Sequence, residues 1–476
     1  MHDREERRTE SRACLSSVAG LFDEIVVVDT GSTDRTREIA VEHDARVTNF
    51  AWCDDFAAAR NASLDHATGD WIFWLDADDV LEKDDRTRLS ELLLTLGDEP
   101  RAIHCRVLSD DAQQAGPTNM ATQVRLFRAD PKLRWSRRIH EQIVPACERL
   151  GYRGEYADVT IHHTGYRDPA LVQRKNNRDL RLLRMEYAAD PHDAGTLLYL
   201  GITLSRMGKS GEALSYLLQG HHVTRESTCD YVSVIYSTLI ECLIREGRVD
   251  SAWNLTEEAT RRFPDDPALA VQRAELLFQH RRTSAAIETL RRHLARPPRK
   301  RFYFGSAETF EGVAARTLLA RLLIEENHGE EAERILQELL ARRPADHALW
   351  GYLGAYYLKE MRTADLEYVI RQLEKCAHGP TTADVLRGAL ALQRGDLDAA
   401  ERACEAAIER SPEASWPRAL YCEVLSNRPG STARLVAAIE ELRRRDPANP
   451  LAFRLMEEQR ASRVTDVQQW SVDVVM

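Results

Sequence analysis

No apolar run in these 476 residues approaches the length of a membrane span, which excludes a transmembrane helix. No two of the nine cysteines stand as a C-x-x-C pair. Their odd number and scatter argue against a disulfide framework and fit reduced, mostly buried thiols of a cytoplasmic protein. Basic charge is also in short supply. Lys and Arg number 65 against 76 Asp and Glu, a net charge of -11. A general nucleic-acid binder needs a basic face, so that class is excluded. The amino terminus, Met1-His-Asp-Arg-Glu-Glu-Arg-Arg, has no apolar segment behind it and does not read as a secretory signal. What remains is the composition of a folded chain, 43% hydrophobic and 30% charged, long enough for two or three domains.

The stretch with the most chemistry is Trp71-Ile-Phe-Trp-Leu-Asp-Ala-Asp-Asp79. Five bulky apolar residues run without a break, as in a strand buried on both faces of a parallel sheet. Carboxylates at its carboxyl end would lie where open α/β sheets bind ligands. Asp76 and Asp78, separated only by Ala77, can hold Mg²⁺ or Mn²⁺ and leave coordination sites for phosphate oxygens. The plain alternative is an acidic turn after a strand, since Asp is common where chains turn.

A second carboxylate-ended strand reads from Glu24-Ile-Val-Val-Val-Asp29. Thr30-Gly-Ser-Thr-Asp34 supplies turn and N-cap residues, and a helix over 35–43 follows. Strand, glycine-containing turn and helix make half of a βαβ unit, which sets Asp29 at the same sheet edge as Asp76. Asp54-Asp-Phe-Ala-Ala-Ala-Arg-Asn61 leads into a further helix that ends near Gly69. Arg60 can pair with a phosphate or stack on a base; taken by itself it reads first as a solvated helix residue.

Taken in order, the segments 23–36, 55–61 and 68–78 resemble the family 2 glycosyltransferases of GT-A fold, and within them the bacterial branch joined to tetratricopeptide repeats. Three motifs in sequence are far more specific than a lone D-x-D. The resemblance implies that Asp29 binds the base or ribose of a nucleotide and that Arg60 lies near it. It also implies that Asp76 and Asp78 hold the metal and the sugar-nucleotide diphosphate. Val124-Arg-Leu-Phe-Arg128, Trp135, Arg138-Ile-His-Glu-Gln142 and Ile161-His-His-Thr-Gly-Tyr166 resemble later segments of the same family. Transfer needs a base to deprotonate the acceptor, and Glu141 is the candidate, with a salt-bridging glutamate on a loop as the alternative. His163 is a candidate third metal ligand, because neutral imidazole suits Mn²⁺; a structural histidine is the other reading. The family domain opens with an apolar strand that has no match here. Asp3-Arg-Glu-Glu resembles only that strand's tail, so a central parallel strand is expected to be missing, which would leave unpaired backbone beside it, or else to lie upstream of Met1 or be substituted by another segment.

From about residue 190 the periodicity becomes helical throughout, with short Gly, Asp and Pro turns. A turn residue followed five positions later by Ala recurs as Gly208/Ala213, Gly247/Ala252, Asn327/Ala332 and Gly395/Ala400. Proline follows twelve positions after the Ala at Pro264, Pro344 and Pro412, with Pro298 after Ala286 as a weaker copy. Trp350-Gly-Tyr-Leu-Gly-Ala-Tyr-Tyr357 matches the opening of a 34-residue tetratricopeptide repeat. About seven helix pairs are expected, docked on the first domain through a short link near Asp190.

These readings define an α/β GT-A domain over 1–185, an all-α tetratricopeptide superhelix over 190–460 and a tail over 461–476. The expected activity is inverting transfer from a nucleotide-diphosphate sugar, by resemblance a UDP-sugar, to a hydroxyl or thiol acceptor. The repeats would bind a peptide or protein acceptor, mediate self-association, or serve as a rigid spacer. The alternative is a non-catalytic repeat scaffold with a degenerate transferase domain.

Overall fold

The computed structural model describes residues 2–110, 117–164, 169–227, 229, 231–297, 305–306, 309, 312–446 and 449–461. Pro298, Gly165, Tyr166 and the tail beyond Ala461 lie outside them. The chain forms two compact units, residues 1–315 and 316–476.

The first unit opens with α1 (His2–Val18), β1 (Val26–Asp29), α2 (Thr36–Glu42), β2 (Arg46–Asn49), α3 (Phe56–His66) and β3 (Trp71–Phe73). There follow β4 (Asp79–Val80), α4 (Lys83–Leu93), β5 (Arg101–Asp110), β6 (Pro117–Arg128), α5 (Val144–Arg149), β7 (Arg153–His163) and α6 (Pro169–Ala189). A six-stranded sheet runs β3-β6-β5-β7-β4, and the short β8 (Gly305–Ser306) pairs with β6. β5 and β7 are parallel, whereas β6 runs antiparallel to both β3 and β5. Side chains alternate across a strand, and the sequence exploits it. Ile103 and Leu126 enter a cluster with Val18, Leu89 and Ile161; their neighbours Ala102 and Phe127 enter a cluster on the other side with Trp135, Ile143 and Cys147. Burying a side chain the size of Leu126 or Phe127 contributes about 1.5–3 kcal/mol.

The structure corrects two expectations. The apolar run at 71–75 is a three-residue strand, half-buried, and pairs antiparallel with β6, with Ile72 opposite Phe127. It is not a central strand of a parallel sheet, because β6 borders it on one side and it ends the sheet. The second correction concerns Asp29. β1 pairs in parallel with β2 in a separate two-stranded sheet, so Asp29 and Asp76 do not share a sheet edge. No described strand joins the two sheets. Helix α1 spans both instead: Leu15 packs with Ile39, Ala40 and Val27, while Val18 packs with the core of the larger sheet.

The remaining elements of this unit are helical apart from β8: α7 (Ala194–Arg206), α8 (Ser210–Val223), α9 (Tyr231–Arg245), α10 (Val249–Arg262), α11 (Pro267–Gln279) and α12 (Thr283–Leu294). The division falls in the first turn of α13 (Val313–Glu325), and the second unit continues with α14 (Gly329–Arg342), α15 (His347–Lys359), α16 (Thr363–Leu373) and α17 (Gly379–Gln393). It closes with α18 (Leu397–Arg410), α19 (Trp416–Ser426), α20 (Thr432–Arg445) and α21 (Pro450–Ala461). From α7 to α20 these make seven successive pairs among the described residues. The recurrent sequence positions have a common physical cause. Gly208, Gly247, Asn327 and Gly395 all sit at φ between 60° and 76°, the left-handed conformation that ends a helix. The alanines five residues on are all fully buried, where paired helices cross too closely for a larger side chain.

Candidate functional site

The turn after β3, the loop 136–142, the end of β7 and the helices α3 and α6 deliver the site. The chain leaves β3 and folds back at once, with Asp79 N–H donating to Asp76 O at 3.0 Å. Asp76, Asp78, Asp79 and His163 each offer one ligand atom, all within 4.8 Å of one another. His163 arrives at the end of β7, whose pairing with β4 sets Asp79 opposite it. Three carboxylates and an imidazole suit a hard divalent cation, and this donor set fits Mg²⁺ or Mn²⁺.

The members are not equivalent. Asp79 is fully buried, and Arg125 Nη1 donates to its Oδ2 at 2.6 Å. The same oxygen accepts from Asp76 N–H at 2.8 Å. Its other oxygen lies 2.9 Å from His163 Nδ1. A proton on Nδ1 directed at Asp79 leaves Nε2 as the ring's acceptor, the arrangement that orients metal-ligating histidines. Both oxygens of Asp79 are thus engaged within the protein, as in a brace, while Asp76 and Asp78 remain the candidate ligands. Burial opposes the charge on Asp79, but Arg125 and His163 overcome it and hold its pKa below the usual carboxylate range. Burial raises Asp78, with His163 and Lys175 working against the rise and Asp76 and Asp79 adding to it. Burial works to lower His163, yet its bond to Asp79 and the charges of Asp78, Asp79 and Asp76 raise it overall.

Arg60 connects this cluster to Glu141. Its Nη2 donates to Asp76 at 2.7 Å and its Nε to Glu141 Oε1 at 2.5 Å. Its guanidinium also lies 4.1 Å from the Trp74 ring centre and 5.2 Å from that of Trp135. Burial works against its charge, but Asp76 and Glu141 raise its pKa overall. The local sequence explains the placement. Asp55 caps α3 by accepting from Ala58 N–H, which fixes the helix start. One residue beyond Arg60, Asn61 exchanges two hydrogen bonds with the backbone of Trp135, at 2.8 and 3.0 Å. The A-A-R-N segment thus ties α3 to the segment entering the Glu141 loop. Glu141 is salt-bridged, as one reading of it held, but its partner also grips Asp76.

The structure brings Arg60, Asp76, Asp78, Glu141 and His163 together. Asp29 belongs to the other sheet: its buried carboxylate accepts from Ser32 N–H at 3.0 Å and closes the turn around Gly31.

Residues 7–146 match the family described as Glycosyl transferase family 2, and residues 243–300 match a tetratricopeptide repeat family. The chain carries a family 2 glycosyltransferase domain followed by tetratricopeptide repeats. It is similar to a TPR repeat-containing protein of Synechococcus elongatus, 36% identical over 50% of this chain and 60% of that one. It is also similar to the SPbeta prophage-derived glycosyltransferase SunS of Bacillus subtilis, 28% identical over 43% of this chain and 49% of that one. The matched region thus spans about half to three fifths of those relatives' own length.

Several residues of this family 2 domain's site escaped the sequence reading. Asp79 was visible as a third carboxylate, but nothing local distinguishes a brace from a ligand. Arg125 lay inside a quoted motif without a role. Lys175, on α6, stands 3.6 Å from Asp78 Oδ2, 97 residues away in sequence by the numbering 175 − 78. Its signal was weak: a cluster of basic residues on one turn of a helix reads as a solvated face. No helix among the described residues is long and apolar enough to cross a membrane.

Proposed function

We propose that this chain is a glycosyltransferase that moves a sugar from a nucleotide-diphosphate donor, a UDP-sugar, to an acceptor hydroxyl or thiol with inversion. The observation that carries this reading is the continuous link from the Asp76/Asp78/His163 cluster through Arg60 to Glu141. The relatives bearing glycosyltransferase names support it. In this reading Asp76, Asp78 and His163 hold Mn²⁺ or Mg²⁺, and Asp79 with Arg125 fixes their backbone. The cation, when bound, supplies positive charge against the leaving diphosphate. Lys175, beside Asp78, adds a second positive group on that side. Glu141 accepts the proton of the acceptor, which attacks the anomeric carbon from the face opposite the diphosphate. Arg60 holds Glu141 at a set distance from the cluster, so base and leaving-group site are positioned by one side chain. Asp29 binds the base or ribose of the donor. The repeats bind a peptide or protein that carries the acceptor.

The test is release of UDP from a panel of UDP-sugars with Mn²⁺, comparing the native chain with Asp78→Ala. Metal-dependent release that is abolished in a folded Asp78→Ala chain supports the reading; equal release in both sinks the metal role. One observation favours a second reading, a repeat scaffold whose transferase domain no longer turns over: β1–β2 and the six-stranded sheet are separate. Thermal shift separates the two. The scaffold reading requires that no UDP-sugar with Mn²⁺ raises the melting temperature.

A further inference from the structure

Glu141 belongs to a small closed loop. Ser136 and Gln142 pair across its neck, with N–H···O distances of 3.0 and 2.9 Å. Within it Arg137 and His140 adopt φ of 78° and 51°, a conformation that costs about 1–3 kcal/mol each for such residues and persists only where surroundings impose it. Those surroundings come from α6 and the first repeat pair. Arg137 Nη2 bonds Asp193, the N-cap of α7, at 2.7 Å. Gly195 makes room for that guanidinium, since a Cβ there would stand 1.9 Å from Arg137 Nη1. Arg138 N–H donates to Glu186 of α6 at 2.7 Å. Ile139 is buried in the cluster formed by Leu180, Leu200, Leu204 and Leu217. His140 stacks on Tyr199 of α7, ring centres 3.6 Å apart and planes within 6°. Its Nε2 is enclosed without a hydrogen-bond partner. A polar atom so enclosed costs about 1–3 kcal/mol, so the ring is held by stacking against its own polarity.

Four consecutive residues immediately before Glu141 are thus gripped by the helices that begin the repeats. We propose that Tyr199, acting through His140, is a positioning residue for Glu141, and that α7 is a working part of the transferase site. The proposal rests on the reading of Glu141 as the base. It makes the first repeat both a wall of the active site and the start of the arm.

The test compares Tyr199→Leu, Tyr199→Phe and Arg137→Gln in the full chain. Two measurements are made: UDP release from UDP-sugars with Mn²⁺, and amide hydrogen exchange of residues 137–141. Tyr199→Leu should lower kcat at least tenfold with donor KM changed less than twofold, and speed exchange in the loop while β5 and β6 stay protected. Tyr199→Phe keeps the stack and should restore both readouts. Arg137→Gln breaks a part-buried polar tie rather than the aromatic stack and should speed loop exchange in the same residues. Unchanged kcat and unchanged loop exchange in Tyr199→Leu overturn the proposal, as does a Tyr199→Phe chain as impaired as Tyr199→Leu. If the native chain releases no UDP from any UDP-sugar, the transferase reading fails, and the exchange measurement alone decides whether Tyr199 holds the loop.

Discussion

Asp79 and Arg125 form an ion pair 2.6 Å long whose side chains are 0% and 2% exposed. Taking one partner away leaves the other charged and buried, which costs about 3–5 kcal/mol, far more than loss of an exposed pair. The Trp74 ring, 3.8 Å from the Arg125 guanidinium and 4.1 Å from that of Arg60, ties this pair to the Arg60 side of the cluster. Arg125→Met and Asp79→Ala should each lower the opening free energy of β5 and β6 by about that 3–5 kcal/mol, measured by native-state hydrogen exchange. Asp78→Ala, which removes no such pair, should leave that protection within about 1 kcal/mol of native. Equal losses in all three variants would show that Asp79 is no more a brace than Asp78.

Arg60 serves two carboxylates with two different nitrogens, Nε toward Glu141 and Nη2 toward Asp76. Lysine carries one point charge and cannot keep both at once. Arg60→Lys should therefore retain metal binding but lower UDP release by about 10²-fold, the penalty typical of a misplaced catalytic group. Mn²⁺ titration followed by initial rates separates the two quantities. A variant with native turnover would exclude Arg60 as the link between cluster and base.

How much of this was readable in advance follows the range of each interaction. The repeats were legible because their signals are local and periodic: the left-handed turn at Gly208 or Asn327 and the buried Ala five residues on lie within one hairpin. The D-x-D carboxylates were legible for the same reason. The pairing of β3 was not, since the apolar run at 71–75 carries no record of which strand lies beside it, and β6 begins 46 residues later by the numbering 117 − 71. Asp79 looked like Asp76 and Asp78 because Arg125, which sets it apart, is remote in sequence. The A-A-R-N segment was recognised as a pattern; only the structure shows that Asn61 and Arg60 act on successive parts of the same loop, at Trp135 and Glu141.

His140 gives a prediction in pH. Burial of the ring, with the charges of Arg206, Arg137 and Arg178 adding to it, pushes its pKa down to about 3 from 6.5. A depressed folded pKa means that the stability is present in full above pH 6.5 and is lost as pH falls toward 3, because the unfolded chain binds the proton first. The native chain should lose about 1 kcal/mol per pH unit more than His140→Asn between pH 6 and 4. Asparagine tolerates the positive φ at this position, so the comparison reads titration rather than backbone strain. Melting temperatures of both chains across that range decide it: parallel curves would mean that the ring is protonated in the folded chain.

The repeat crossings make the most local prediction. A Cβ at Gly201 of α7 would lie 2.4 Å from both Cγ and Cδ2 of Leu217 on α8, and Leu217 is fully buried. The Cγ branch cannot swing clear by a terminal rotation, so Gly201→Ala should cost about 1–3 kcal/mol through overpacking. Gly211, ten residues on and at the start of α8, meets nothing within 4 Å of a Cβ and is exposed. There alanine only reduces the freedom of the unfolded chain and improves helix propensity, so Gly211→Ala should raise stability by about 0.5–1 kcal/mol. Because α7 also carries Tyr199, Gly201→Ala should in addition loosen the 137–141 loop, whereas Gly211→Ala should leave it untouched. Hydrogen exchange on the two variants reads both effects together, and a Gly201→Ala chain with native loop protection would show that the helix crossing and the loop respond independently.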